Sequence, residues 1–272
     1  MDIDTGTEEL LCELSDRVAI ITLNKPHKKN ALGDVLTPAL RQVLLTLDSR
    51  QDVGCVMLTG AGDAFCSGGD VSEMGGSGSS APVSREERIS NLTEKQATLT
   101  GRLYHLSKPT IAALPGAAAG AGFSIALACD LRIASDNAFL LTAFKNIGLS
   151  GDYGASWFLP RLIGEARAKS MFYRAPRLSA VEAKEIGLID EVFPHGTFRR
   201  DAMAYAAEIA NGPTMAYGRM KKNLQAGLNQ SLQDSLALEA THMIESGGSE
   251  ESKEAIRAFM EKRKPRFHTG EE

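Results

Sequence analysis

The sequence predicts an α/β fold followed by a helical C-terminal section. Two observations carry this prediction. The order strand, helix, strand, glycine-rich loop occurs twice, and beyond about residue 179 nearly every segment spaces its apolar residues as a helix does. The composition, 43% hydrophobic and 24% charged over 272 residues, is typical of a globular protein that can bury a large core. We therefore divide the chain into an α/β core at 1–195 and a helical section at 196–272.

The first unit begins with a β-branched run, Arg17 to Leu23, which predicts a buried strand ending at the turn Asn24-Lys25-Pro26. Apolar residues at helical spacing predict a helix over 33–48, and the apolar run from Val53 to Thr59 predicts the next strand. The glycine loop that follows is Phe65-Cys66-Ser67-Gly68-Gly69-Asp70.

The second unit begins with a helical pattern over 86–106, after which Pro109 introduces the apolar strand Thr110 to Leu114. A second glycine loop, Pro115 to Gly122, leads into the apolar segment 123–128. Shorter strands are predicted over 130–134, 138–141 and 191–193. The low-complexity segment 75–84, GGSGSSAPVS, is either a flexible linker or a mobile lid beside a site, and both interpretations stay open here.

Charge and composition argue against several classes of partner. The net charge of −4 and a pI of about 5.8 provide no basic field for nucleic acid. The longest apolar stretch, 110–128, is interrupted by Pro115 and glycines, so we expect no contact with a membrane. The four cysteines have no C-x-x-C spacing, and the acidic start has no apolar signal segment. We expect free thiols and a cytoplasmic protein.

The two glycine loops allow three interpretations. A small-residue loop before a helix leaves backbone N–H groups that point outward at the positive end of the helix dipole. Such groups cradle a phosphate or form an oxyanion hole, and otherwise the glycines only permit close packing of strand on helix. The phosphate interpretation is weak because neither loop has a phosphate-binding fingerprint.

Nucleophile and metal sites find little support. Ser124 lies in Gly-Phe-Ser-Ile-Ala, which is not a nucleophile elbow. The five histidines are scattered without metal-ligand spacing, so we expect no metal.

Seven segments in order resemble the enoyl-CoA hydratase/isomerase family, the crotonase superfamily, over nearly the full chain. They are 23–32 with LNKP and NAL, 64–71 with AFCSGGDV, 108–112 with KPTIA, 116–132 with GAAAGAG and ALACDLR, 159–162 with LPRL, 180–192, and 258–267 with AFMEKRKPRF.

The resemblance implies a crotonase-like β-β-α superhelix, a helical trimerisation section and an acyl-CoA substrate with no further cofactor. It places the two oxyanion donors on the backbone N–H groups of Gly69 and Ala121. It also implies a homotrimer or a dimer of trimers, in which two tail residues reach the CoA of a neighbouring subunit. The CoA-binding residues that it implies are Lys25, Ala31, Ala64, Ser67, Gly68, Asp70, Phe259 and Lys262, of which Asp70 is equally well explained as a cap.

The chemistry depends on which carboxylates are present. The family's hydratases use two glutamates, and the matching positions here hold Ser124 and Phe144, neither of which replaces an acid–base pair. Asp152 matches the aspartate of the isomerase and dehalogenase-like branches. We therefore expect Asp152 to transfer a proton and double-bond isomerisation to be favoured. The structural alternative for Asp152 is a turn or cap residue before a helix.

Three other functions stay open at this point. The chain could be a hydratase that works without the usual glutamate pair, or a non-catalytic acyl-CoA-binding protein. A dehalogenase ranks low, because no histidine upstream of the second loop is well placed to support a nucleophilic aspartate.

Overall fold

The computed structural model describes residues 1–70 and 84–268, and the possible lid at 75–84 lies outside the described residues except for Ser84. The strands are β1 (Leu10–Ser15), β2 (Val18–Leu23), β3 (Cys55–Gly60), β4 (Ala64–Cys66), β5 (Thr110–Leu114), β6 (Ala117–Ala119), β7 (Leu131–Ser135), β8 (Phe139–Leu141), β9 (Leu178–Ser179) and β10 (Glu191–Phe193). The helices are α1 (Leu36–Ser49), α2 (Arg85–Gln96), α3 (Arg102–His105), α4 (Ala121–Ala128), α5 (Ala155–Ile163), α6 (Glu165–Arg174), α7 (Ala180–Glu185), α8 (Phe198–Ala210), α9 (Thr214–Gly227), α10 (Leu232–Gly247) and α11 (Glu250–Met260).

The strands form two sheets. The larger has the order β1-β2-β3-β5-β7-β10, with β1 antiparallel to β2 and the other neighbours parallel. The smaller has the order β4-β6-β8-β9, in which β4, β6 and β8 run parallel and β9 is antiparallel. Three successive turns of the chain, β3-β4, β5-β6 and β7-β8, each add one strand to the larger sheet and the next to the smaller, and then continue into helix. The predicted β-β-α superhelix is confirmed.

The core lies between the larger sheet, the smaller sheet and the helices that follow them. Helix α1 places Leu36, Leu40, Val43, Leu44 and Leu47 on one buried face, at the spacing of helical turns. Helix α4 is buried all round, which is typical of a helix enclosed by the core. The four cysteines are buried free thiols, and burial raises the pKa of Cys66 to about 12.

The predicted elements agree with the structure except at particular points. The strand over 10–15 was not predicted, and it is an edge strand whose residues alternate between buried and exposed. The helix expected over 33–48 begins at Leu36. The helix expected over 86–106 is present and includes a π-helical turn at Ala97–Gly101. Helices α5 and α6 were also missed.

The predicted boundary at residue 195 separates helices with different roles. Helix α8 packs Phe198, Ala202 and Ala206 against the face of the larger sheet that carries Met57 and Ile133. Helices α9 and α10 bury no residue fully within this chain. The division at 195 stays a prediction, with α8 contributing to the core on its C-terminal side. Across the described residues, every helix is too short or too polar to traverse a lipid bilayer.

We expect the chain to form a trimer or hexamer in solution. The last helices expose Leu224, Leu232, Ile244 and Phe259, each at 75% or more, and surfaces of this kind mark protein interfaces. Sedimentation velocity at micromolar concentration measures the mass directly. A charge on this surface, Ile244→Glu, is expected to weaken assembly, whereas a charge at the exposed Tyr173 of α6, Tyr173→Glu, is the control. A monomer at that concentration would contradict the expectation.

Candidate active site

The site lies where three parallel strands of the smaller sheet end. Because β4, β6 and β8 are neighbours, their carboxyl ends meet at one edge. The first glycine loop follows β4, the start of α4 follows β6, and the segment from Phe144 to Asp152 follows β8. The sheet thus brings together segments that are distant in sequence.

Close backbone contact locks the first two segments. Gly68 has φ +103° and Gly120 has φ +51°, both in the region that favours glycine. A Cβ at Gly68 would lie 3.1 Å from the Ala119 oxygen and 3.5 Å from the Ala121 nitrogen. A Cβ at Gly122 would lie 2.6 Å from the Cβ of Cys66. Close packing, one of the three interpretations of the glycine loops, therefore contributes to the geometry of the site.

Two backbone N–H groups remain without partners at this contact. Leu32 N donates to Gly68 O at 2.8 Å and Asp70 N donates to Leu32 O at 2.8 Å, so the N–H of Gly69 points away from Leu32. Ala121 is the first residue of α4 and its N–H has no acceptor within the helix. Among the described residues neither amide donates a hydrogen bond. The dipole of α4 adds a positive partial charge at Ala121.

Asp152 is the carboxylate that faces the same space. Its Oδ1 is buried and has no hydrogen-bond partner among the described residues. Burial raises the pKa of Asp152 to about 6. Its backbone carbonyl accepts from Ala155 N at 3.2 Å, so the backbone makes the turn before α5 while the side chain is left free for another role. Perturbed carboxylates in a cavity are candidates for acid–base chemistry.

A cavity of about 320 Å³ joins these groups. Its polar wall includes Gly69, Ala121 and Asp152, and its opposite wall comes from the loop before α1 and the first turns of that helix. The lining residues are Leu32, Gly33, Asp34, Thr37, Pro38, Arg41, Gly69, Asp70, Leu92, Lys95, Ala121, Asp152 and Tyr153. Two potential oxyanion donors and one unpartnered carboxylate therefore share one small space.

Neither Ser124 nor Phe144, at the positions expected to hold glutamate in a hydratase, can act as a general acid or base. Ser124 is fully buried, and its hydroxyl donates to the Gly120 carbonyl at 3.2 Å, as a serine within a helix commonly does. Phe144 is buried and stacks on Phe172 with ring centroids 6.0 Å apart. An ideal Cβ at Gly151 would lie 3.8 Å from the Phe144 ring, so this phenylalanine packs beside the turn that carries Asp152.

Asp70 is held by lysines. Lys28 Nζ donates to its carboxylate at 2.6 Å and Lys25 Nζ at 3.3 Å. Asp70 is buried, as is Lys25, so the pair ties the first glycine loop to the turn after β2. Because both lysines bind this carboxylate, it is a weaker candidate for proton transfer than Asp152.

The residues that the resemblance assigns to CoA surround this turn. Asn30 accepts from Lys25 N at 2.9 Å and donates to Ala64 O at 2.8 Å, which joins the turn to β4. Ala31 and Ala64 are buried, and Ser67 is exposed with its N–H donating to Lys29 O at 3.0 Å. Gly68 follows Ser67 in the first glycine loop. The contact of these residues with CoA stays a prediction.

Phe259 and Lys262 lie apart from the cavity in this chain. Phe259 is exposed at the end of α11, Lys262 follows it, and neither lines the cavity. Their predicted contact with a neighbouring subunit is untested by one chain.

Nine of the thirteen lining residues were not predicted, among them Arg41 and Tyr153. Arg41 lies on α1, and Tyr153 follows Asp152 at φ +49°. The signal for Arg41 was its position four residues after Thr37, which places both on one side of α1. In the described part of the chain, no group of three or more histidines, cysteines or acidic residues is arranged to hold a metal ion.

Comparison with known proteins gives consistent matches along the chain. A family model described as enoyl-CoA hydratase/isomerase matches residues 13–270. A relative described as "Probable enoyl-CoA hydratase" from Rhodobacter capsulatus is 40% identical over 94% of this chain and 96% of its own. The 1,2-epoxyphenylacetyl-CoA isomerase of Escherichia coli K12 is 34% identical over 96% and 98%. The crystal structure of enoyl-CoA hydratase from Bacillus anthracis matches with a TM-score of 0.87 and 31% identity, covering 95% of this chain and 98% of that one.

Asp152 is expected to make stability depend on pH. Its pKa of about 6 lies above the ordinary value of 3.8, so between these values the folded chain holds a proton that the unfolded chain has lost. The free energy of unfolding should therefore fall as pH rises from 4 to 6. Asp152→Asn should remove this fall in the free energy of unfolding. The fall is at most about 3 kcal/mol, which is the free energy that corresponds to the pKa shift, and it is smaller where solvent screens the carboxylate.

The measurement is urea unfolding of both proteins at pH 4.5 and 7. Asp136→Asn, at an exposed carboxylate remote from the cavity, is the matched control. A wild-type-minus-variant difference that does not change with pH would show that Asp152 titrates normally.

Proposed function

The chain belongs to the enoyl-CoA hydratase/isomerase family, and from that premise we propose that it shifts the double bond of an acyl-CoA thioester through Asp152. Membership makes it an enzyme of the isomerase or lyase type that acts on CoA thioesters. The observation that carries the proposal is that Asp152 Oδ1, which has no hydrogen-bond partner among the described residues, shares a cavity with two amides that donate no hydrogen bond there.

The amides of Gly69 and Ala121 bind the thioester oxygen. When a proton leaves the carbon beside the thioester, negative charge develops on this oxygen, and two preorganised N–H groups stabilise it more than they stabilise the neutral carbonyl. The groups are backbone atoms fixed by the contact of the two glycine loops. They need no reorganisation during the reaction.

Asp152 takes the proton and returns it. From a 3-enoyl thioester it removes a proton at carbon 2, and the electron pair moves into the carbonyl to form a dienolate. The protonated carboxyl then donates to carbon 4, which yields the 2-enoyl thioester and regenerates the carboxylate. A pKa near 6 suits both halves of this exchange at neutral pH.

The side chains at positions 124 and 144 favour this route over hydration. Hydration needs a group that activates water as well as one that protonates carbon, and Ser124 and Phe144 supply neither. Phe144 packs beside Gly151 and presents an apolar surface next to Asp152. The Escherichia coli relative named as an isomerase is consistent with isomer formation on this scaffold.

The remaining assignments belong to the same proposal. Lys25, Ala31 and Ser67 contact CoA along the turn after β2, together with Ala64, Gly68 and the Lys25-paired Asp70. Phe259 and Lys262 contact the CoA of a neighbouring subunit in a trimer or a dimer of trimers. No cofactor besides the CoA of the substrate is required, because proton transfer and charge stabilisation come from the chain itself.

Removal of the Ala121 amide is expected to abolish most turnover. Proline at the first position of a helix keeps the helical backbone but has no N–H, so Ala121→Pro deletes a donor where proline is well tolerated. We expect a loss of roughly 100-fold to 1,000-fold in kcat. Ala121→Ser keeps the amide and is the control. Full activity in a folded Ala121→Pro protein would contradict the oxyanion assignment.

Removal of the Asp152 carboxylate tests the proton transfer. Asp152→Asn preserves shape, and isomerisation of a 3-enoyl-CoA should fall by roughly 100-fold to 10,000-fold, the usual contribution of a general base. The wild-type kcat/KM should rise with pH up to about 6 and then level off, because only the carboxylate form accepts a proton. The residual rate of the variant should lack this rise.

Two controls separate this proposal from its alternatives. A saturated acyl-CoA should bind wild type and Asp152→Asn equally, since the thioester contacts are backbone groups. Product analysis with 2-enoyl-CoA and 3-enoyl-CoA offered separately should show isomerisation outpacing hydration. Hydration that persists in Asp152→Asn would overturn the role of Asp152, and binding without turnover of either substrate would indicate a non-catalytic acyl-CoA-binding protein.

A further inference from the structure

Arg41 is a half-buried cation that lines the cavity and that the proposed proton transfer does not use. Its Nη1 is inaccessible to solvent and has no hydrogen-bond partner among the described residues. The side chain lines the cavity together with Thr37 and Pro38, one turn earlier on α1. A buried donor on a charged group that is left unsatisfied is unfavourable, so a ligand group that accepts from it is favoured.

The fold holds Arg41 at this point. The apolar face of α1 is fixed in the core by Leu40 and Leu44, which flank Arg41 in sequence and are fully buried. The carbonyl oxygen of Arg41 accepts a hydrogen bond from Arg102 Nη1 at 2.6 Å, so helix α3 also anchors this turn of α1. The backbone that carries the guanidinium is therefore held by the core, and the Nη1 group belongs to a packed helix and not to a surface loop.

Arg41 is not the counter-ion of Asp152. Burial alone accounts for the raised pKa of Asp152, with no contribution from a nearby cation. The charge of Arg41 acts instead on Tyr153, whose pKa it lowers against the larger effect of burial. The other charged groups that face the cavity are Asp34, Asp70 and Lys95. Asp34 and Asp70 have interactions of their own, and Lys95 is exposed.

We infer that Arg41 binds a carboxylate at the distal end of the acyl group, so that the substrate is a short dicarboxylic acyl-CoA. This inference rests on the proposed function for the placement of the thioester at Gly69 and Ala121. The guanidinium is the donor set that best matches a carboxylate, and a charged group in the substrate satisfies the donor that the chain leaves open.

The size and chemistry of the cavity agree with this class. Its volume of about 320 Å³ accommodates a short acyl chain. Leu32, Pro38 and Tyr153 provide apolar contacts for the intervening carbons. In this assignment Asp152 acts at the reacting carbons and Arg41 at the carboxylate end of the acyl group.

The test compares two saturated thioesters that differ only at the distal end, glutaryl-CoA and pentanoyl-CoA. Isothermal titration should show wild type binding glutaryl-CoA at least tenfold more tightly. Arg41→Gln should lose about 10-fold to 100-fold in affinity for glutaryl-CoA, which is the range of a hydrogen bond to a charged group, and should keep its affinity for pentanoyl-CoA. Lys95→Gln removes a neighbouring exposed charge from the same cavity, and should alter the preference for glutaryl-CoA less than threefold.

Equal affinities for the two thioesters in wild type, or an equal loss for both in Arg41→Gln, would overturn the inference. Arg41→Lys keeps the charge and should retain part of the preference, which provides a second variant if Arg41→Gln folds poorly. Neither thioester has a double bond, so these measurements do not depend on Asp152 chemistry. Failure of the isomerase proposal would appear in turnover of enoyl thioesters, whereas failure of this inference would appear only in the binding preference.

Discussion

The contact between the two glycine loops is the constraint on which the site depends. Gly68, Gly120 and Gly122 stand where one backbone crosses another, and at Gly122 an added Cβ would meet Cys66 at 2.6 Å. That contact brings the first residue of α4 against the loop after β4, and both amides open into one cavity. A side chain at Gly122 would meet the Cys66 oxygen at 2.5 Å and one at Gly68 would meet the Ala119 oxygen at 3.1 Å, and these backbone atoms cannot rotate away. The positions of the two amides therefore depend on glycines, which have no side chain, at this contact.

Much of this arrangement could be predicted from the sequence, because it is encoded locally. Strands β2, β3 and β5 are apolar runs bounded by turn residues, and the glycine loops stand out by composition. Asp152 could be identified from the match to the family, and the structure brings it into the cavity with Gly69 and Ala121.

The missed features have a common physical cause, since each depends on partners distant in sequence. The three-residue strands β4 and β6 are too short to show a period, and they exist because they pair with one another. Strand β1 contains Glu13 and is stabilised by its register with β2. Arg41 resembles any solvated arginine until the loop before α1 and the loop after β4 enclose it. Tertiary pairing creates these features, and one-dimensional patterns do not carry it.

The environment of Asp152 explains why one carboxylate can serve both halves of a proton transfer. A base that must return its proton works best when its pKa lies near the pH at which it operates. Carboxylates with cationic partners cannot do this, since Arg263 lowers the pKa of Glu254 to about 2. Asp152 has an unpartnered oxygen and a pKa raised by burial to about 6, so the fold obtains a reversible acid–base group by withholding a partner from it. The burial that raises the pKa of Asp152 also strengthens the interaction of the Gly69 and Ala121 amides with a developing oxyanion, because electrostatic interactions grow as water is excluded. Burial of one small cavity thus sets both the proton affinity of the base and the strength of the charge stabilisation that the reaction requires.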